Sequence, residues 1–132
     1  MPQFSANLSM LFPERPFLQR FAAAAQAGFS AVEFMFPYAF AIADLRDAIA
    51  HSKVRVVLHN LPPGDWDAGD RGIACHPNRT EEFRDSVAQA IAYASALQVP
   101  RLNCLAGCTP ADTDPVLDEP GLVEMLKFTI MN

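Results

Sequence analysis

Four short strand-type runs recur along this chain, and a helical pattern separates each from the next. They begin near residues 4, 31, 54 and 101, so successive starts lie 27, 23 and 47 residues apart. Leaving out the polar, Gly- and Pro-containing segment 60–79, 20 residues long, brings the last interval to 27. A strand followed by a helix at that period is the repeating unit of parallel α/β folds, because parallel neighbours need a long crossover. Residues 4–9 alternate apolar and polar with a period of two, as a half-buried strand does. Pro16 sits where a first helical turn tolerates proline, apolar residues follow at 17, 18, 21, 24 and 25, and Gly28 is placed to end the helix in the left-handed conformation. Residues 31–36 form a second apolar run, stopped by Pro37, and Ile42, Leu45, Ala48 and Ile49 mark a second helix. Residues 54–58 read as a buried strand, rich in β-branched side chains.

The third helix has the cleanest periodicity, with apolar positions at 83, 87, 90, 91, 94 and 97, and Pro100 beyond its end. Its cap is expected from Asn78 with Glu81, or from Thr80 followed by Glu81 and Glu82. Residues 101–106 make a fourth strand, 107–120 a loop, and 122–131 the start of a further helix. No G-x-G-x-x-G or G-x-x-x-x-G-K-[ST] motif is present, which removes the main support for a nucleotide-binding sheet. A closed barrel of such units needs eight of them, in about 250 residues. The expected fold is therefore α/β, of parallel βα-barrel type, truncated to about its first four units: a curved sheet in order 1-2-3-4 with right-handed crossovers and helices outside. Phe4, Ala6, Val32, Val56 and Leu58, or their alternates, would face inward.

Composition narrows the function. Apolar residues make up 51% of the 132, too many for disorder. A net charge of −5 with no cluster of Lys or Arg argues against nucleic acid or an anionic membrane as partner. The longest charge-free stretch, residues 86–100, is too short and polar for a membrane span. The first basic residue is Arg15, so no secretory signal is expected. Three cysteines, none at C-x-x-C spacing, suggest reduced thiols and a cytoplasmic setting.

In a βα barrel the reactive groups stand at the C-terminal ends of strands and on the loops that follow. The polar residues there are Asn7 and Ser9, Glu33, His59 and Asn60, and Asn103 with Cys104. Glu33 lies in an apolar run, so its carboxylate needs a partner, either a ligand or an arginine such as Arg55 or Arg101. His59 ends the third strand, where an imidazole can orient a hydroxyl or carbonyl or move a proton; the alternative is a histidine hydrogen-bonded to a neighbouring loop. His51 and His76 read as structural or solvent-exposed. Cys75, His76, Cys104 and Cys108 lack the spacing of a zinc site, and buried cysteine acting as a small hydrophobe is the better reading. The segment after His59 is too long for an ordinary βα connection and holds the chain's single tryptophan, Trp66. It reads either as a pocket cover or as a loop whose Trp folds back on a helix.

Several segments, in order, resemble the hydroxypyruvate isomerase family: Phe4-Ser-Ala-Asn-Leu-Ser-Met-Leu-Phe12, Ala27-Gly-Phe-Ser-Ala-Val-Glu-Phe-Met-Phe-Pro-Tyr38, Leu58-His-Asn-Leu-Pro-Pro-Gly-Asp-Trp66, Arg71-Gly-Ile-Ala-Cys75 and Arg101-Leu-Asn-Cys-Leu-Ala-Gly107. The resemblance covers about residues 3–110, and 111–132 look like the approach to and start of the fourth helix. It implies the N-terminal half of a xylose-isomerase-like TIM barrel. The implied reaction is an intramolecular oxidoreduction between aldose- and ketose-type substrates, hydroxypyruvate to tartronate semialdehyde through an enediol. It also implies a divalent metal, magnesium or manganese, and two proton-transferring glutamates. Those glutamates lie on strands of the second half, beyond Asn132, so no catalytic or metal-binding residue is assigned within this chain. What carries over is one wall of the pocket for a small 2-oxo or hydroxy acid: Asn7, Glu33, His59, Asn60 and Trp66. Two alternatives stand beside it, a non-catalytic half-barrel and an isomerase of a larger 2-oxo sugar acid. Free edges on strands one and four would favour a homo-oligomer.

Overall fold

A computed structural model describes residues 2–109 and 111. Its elements follow in the order β1 (Ser5–Asn7), α1 (Phe17–Gln26), β2 (Ala31–Phe34), α2 (Ile42–Ser52), β3 (Arg55–Asn60), a 3-10 turn (Pro77–Arg79), α3 (Thr80–Leu97) and β4 (Leu102–Asn103). All four strands join one parallel sheet in the order β1-β2-β3-β4. The expected half-barrel topology holds, although β1 and β4 are shorter than their strand-type runs. The further helix expected over 122–131 lies outside the described residues.

The helix ends show how local sequence sets these boundaries. Pro16 is not inside α1 but caps it, with an extended ψ of 143°, so the helix begins one residue later. At the other end Gly28 takes φ +91°, its N–H reaches the Ala25 carbonyl, and the Phe29 N–H reaches Ala24. That paired closure is the left-handed stop expected of glycine, with Phe29 packing back on the core. Lys53 and Gln98 make similar left-handed exits without glycine, at φ 59° and 56°. The expected cap of α3 is absent. Thr80 is itself helical, and its hydroxyl donates to the Pro77 carbonyl, because the 3-10 turn runs straight into the helix. Glu81 and Glu82 do occupy its first turn, where the helix dipole favours them.

The described residues divide into two compact units: residues 2–60 with 92–103, and residues 61–91 with 104–109 and 111. In the first, Ala6, Leu8, Val32, Phe34 and Val56 pack on Phe21 and Ala24 of α1, Leu45 of α2, and Ala94 and Leu97 of α3. These strand residues face the helices, so the side away from them carries the alternates Ser5, Asn7, Ala31 and Glu33. Phe4, expected inside, is 71% exposed ahead of β1. In β3 the pairing shifts: Val32 pairs Val56 but Glu33 pairs Leu58, leaving Val57 as an extra residue. This irregularity exchanges the faces beyond it, as a one-residue slip must. Leu58 and Asn60 then share the side of Glu33, and His59 pairs Phe34 on the helix side.

In the second unit, Leu61, Ile73, Ala74, Cys75, Phe83, Val87 and Ala90 are buried. A single antiparallel bridge joins Gly72 to Ala106. Gly72, at φ +106°, lies so close to the Leu105 carbonyl that a Cβ there would clash. Among the described residues no helix is long and apolar enough to cross a membrane.

Candidate functional site

At the C-terminal ends of β1 and β2 a carboxylate is held by neutral donors. Ser5 Oγ donates to Glu33 Oε2 at 3.1 Å, and Asn7 Nδ2 to Glu33 Oε1 at 3.3 Å. Neither Arg55 nor Arg101, the expected cations, pairs with it among the described residues. Arg55 instead donates to Gln3, since its register partner is Ala31, two residues before Glu33. Asn7 is oriented in turn by the Ser9 N–H on its Oδ1, 3.0 Å. Ser9 Oγ accepts from the Met35 N–H at 2.8 Å, tying the exits of the two strands together. Further along the same face, Asn103 Nδ2 donates to Asn60 Oδ1 at 3.1 Å. Ser5, Asn7, Glu33, Asn60 and Asn103 thus form a polar row on the side of the sheet away from the helices.

His59 lies on the other side. It is fully buried, its ring parallel to Phe34 at 6.1 Å between centroids and edge-on to Tyr38. Tyr38, on the loop after β2, directs its hydroxyl to the Asn60 carbonyl, and His59 Nδ1 stands 3.1 Å from that same oxygen. With the Tyr38 proton committed, Nδ1 carries a hydrogen and donates, leaving the lone pair on Nε2. Among the described residues Nε2 has no hydrogen-bond partner. Burial holds the imidazole below its ordinary pKa of 6.5, more than the Asn60 contact raises it. The ring is neutral near pH 7, with Nδ1 held at the end of its own strand.

In the second unit the loop 61–79 is a defined structure. The Asp65 N–H and Arg79 Nη2 both donate to Asp70 Oδ2, at 2.7 and 2.8 Å. Arg79 also grips both oxygens of Glu82 at 2.7 Å, and it holds the Asp70 and Glu82 carboxyls below their usual range. Trp66, 37% exposed, lies under the Arg71 guanidinium, whose carbon is 3.9 Å from the ring centre. Trp66 thus stacks on an arginine of its own loop.

Of the five proposed wall residues, the fold joins Asn7 and Glu33 directly and sets Asn60 on the same face. It turns His59 to the opposite face and carries Trp66 in the other unit. Ser5, Tyr38 and Arg71 were not singled out from sequence. Ser5 had a readable signal, being two residues before Asn7 in an alternating strand. Cys104 and Cys108 are free thiols, with burial raising the pKa of Cys104. Among the described residues no three His, Cys, Asp or Glu side chains converge to hold a metal. The polar row carries a single carboxylate, Glu33, with neutral amides and a hydroxyl beside it, so its described residues do not make up the oxygen-rich donor set of the divalent metal that the resemblance implies.

A parallel sheet built from βα units, helices on one side and polar side chains at its C-terminal strand ends, has the design of a βα barrel. Residues 21–129 match the family described as xylose isomerase-like TIM barrel, and the chain belongs to that family. It is 56% identical to hydroxypyruvate isomerase of Escherichia coli (strain K12) over 97% of its own length and 50% of that protein's. It is 45% identical to 2-oxo-tetronate isomerase of Cupriavidus necator, over 97% of this chain and 49% of that one. A crystal structure described as AP endonuclease, family 2, from Brucella melitensis superposes with a TM-score of 0.94 at 43% identity, covering 98% of this chain and 50% of that one. The chain spans about half the length of these relatives.

Proposed function

We propose that this chain is the N-terminal half of an isomerase barrel acting on a small 2-oxo acid, hydroxypyruvate in the first instance, giving tartronate semialdehyde through an enediol. The observation that carries the reading is the 56% identity with a hydroxypyruvate isomerase along nearly the whole chain. The polar row supports it: Asn7, Glu33 and Asn60 offer amide and carboxylate groups where a barrel presents its strand ends. In this reading Asn7 and Asn60 hydrogen-bond substrate oxygens, and Glu33 orients Asn7. His59 acts from behind the strand by fixing the Asn60 backbone. Proton transfer to and from carbon belongs to groups of the second half, together with the divalent metal, and the isolated chain has little or no turnover. An acidic net charge opposes the nucleic-acid substrate suggested by the name of the Brucella relative. Free thiols fit a cytoplasmic location.

A larger 2-oxo acid is the second reading, favoured by the 2-oxo-tetronate isomerase relative. The test mixes this chain with the complementary half of a full-length relative and follows both substrates by NMR with added magnesium or manganese. Faster conversion of hydroxypyruvate supports the first reading, and faster conversion of 2-oxo-tetronate the second. Conversion of neither contradicts both.

A further inference from the structure

We propose that Arg71, presented on the face of Trp66, is the carboxylate-recognising residue of this protein; the assignment of a 2-oxo acid as ligand rests on the proposed function. Arg71 Nη1 donates to the Trp66 carbonyl at 3.1 Å and to the Asp70 carbonyl at 2.6 Å. Its guanidinium carbon lies 3.9 Å from the Trp66 ring centre. One nitrogen is therefore anchored to backbone and the group is held against an aromatic surface. Among the described residues the Nε and Nη2 edge has no hydrogen-bond partner and no carboxylate pairs with the group. Those two N–H groups make a side-on fork whose spacing matches the two oxygens of a carboxylate.

The neighbouring acids do not fill that fork. Asp70 is engaged by the Asp65 N–H and Arg79, and Asp65 Oδ1 accepts from the Ala68 N–H at 3.0 Å. Arg79, the other guanidinium of this loop region, is already neutralised by Asp70 and Glu82. Arg71 is thus the loop's one guanidinium that its own acids leave unpaired, among the described residues. The loop begins at Leu61, directly after the last residue of β3, where barrel enzymes place their binding groups. Both substrates considered above carry a carboxylate, and an aldose or ketose without one would gain nothing from this fork.

Trp66 is the chain's only tryptophan, so tryptophan fluorescence reports on the surroundings of this residue. The experiment titrates the 132-residue chain with hydroxypyruvate, with dihydroxyacetone (the same skeleton bearing CH2OH in place of the carboxylate) and with inorganic phosphate. The expected result is a saturable change with hydroxypyruvate and none with the other two. Arg71→Ala abolishes it. Arg71→Lys, which keeps the charge and the stem but loses the fork, weakens it at least tenfold. Equal responses to hydroxypyruvate and dihydroxyacetone, equal responses to hydroxypyruvate and phosphate, no response to any ligand, or wild-type affinity in Arg71→Ala would each overturn the proposal. No turnover is needed for this readout. Carboxylate binding without isomerisation in the reconstituted barrel defeats the isomerase reading alone, and isomerisation without carboxylate binding at Arg71 defeats this one alone.

Discussion

Asn7 and Glu33 meet across the exits of the first two strands, the amide of one donating to the carboxylate of the other at 3.3 Å. The bond exists because the two positions are register partners on the same side of the sheet. Ser5, one pleat earlier, supplies the second donor. Removing the acceptor leaves two half-buried donors without a partner. Glu33→Ala should lower unfolding stability by about 1–2 kcal/mol, the cost of breaking such bonds at a partly buried site. The measurement is the urea midpoint at pH 7. An unchanged midpoint would mean that the carboxylate does not hold the strand exits together.

Phe34 is the centre of the aromatic packing in the first unit, edge-on to Phe17 at 5.5 Å and to Phe21 at 5.8 Å, and parallel to His59. Phe34→Ala should cost about 3–5 kcal/mol, as large-to-small changes in a packed core do. Thermal unfolding followed by circular dichroism reads it. A loss below about 1 kcal/mol would contradict a tightly packed core at this point.

His59 gives a pH dependence with a definite sign. Its folded pKa lies below the ordinary 6.5 through burial, so over that interval the unfolded chain binds more protons than the folded one. Stability should therefore fall as pH drops from about 6.5 toward the folded pKa, with a slope of up to about 1.4 kcal/mol per pH unit for one proton. Urea midpoints from pH 7.5 to 5 should show this slope in the wild type and lose that part in His59→Gln. Equal slopes in the two proteins would mean that the ring titrates alike in both states.

Gly64 takes φ +84°, and a Cβ there would collide with the Asp70 carboxylate and with Ile73. Gly64→Ala should destabilise the loop by about 1–3 kcal/mol, through backbone strain and displacement of Asp70 from Arg79. Faster proteolysis within 61–79 and altered Trp66 fluorescence would show it. Wild-type protease resistance would contradict the packing described.

β1 and β4 are the sheet's edge strands, and Phe4, Met10 and Leu11 are 71%, 68% and 41% exposed near β1. Unpaired strand edges beside exposed apolar side chains promote association. In isolation the chain should sediment as a dimer or larger species. A compact monomer at micromolar concentration would refute that expectation.

The order of the sheet was legible because each strand-type run is separated from the next by one helix period, and parallel pairing of sequential units follows. Gly28 was legible for a similar reason, since only a left-handed stop explains glycine between Ala27 and Phe29. The side each β3 residue faces was not. One extra residue at Val57 exchanges Leu58 and His59, and no local pattern in an apolar run announces such a slip. The partner of Glu33 was expected to be a ligand or an arginine, because a carboxylate among Val32 and Phe34 looks fully buried in sequence. Alternation instead places it among polar neighbours, where neutral donors suffice. The Trp66–Arg71 stack joins residues five apart in an irregular loop, beyond the reach of any periodicity.

The central claim is that this chain supplies one half of an isomerase barrel. Its most direct test is the rate of tartronate semialdehyde formation from hydroxypyruvate, with magnesium or manganese, by this chain alone, by the complementary half of a full-length relative alone, and by their equimolar mixture. The account predicts turnover in the mixture only, reduced at least tenfold when the chain carries Asn7→Ala. Turnover by the chain alone at the rate of a full-length isomerase, or none in a mixture shown to form a stable complex, would contradict it.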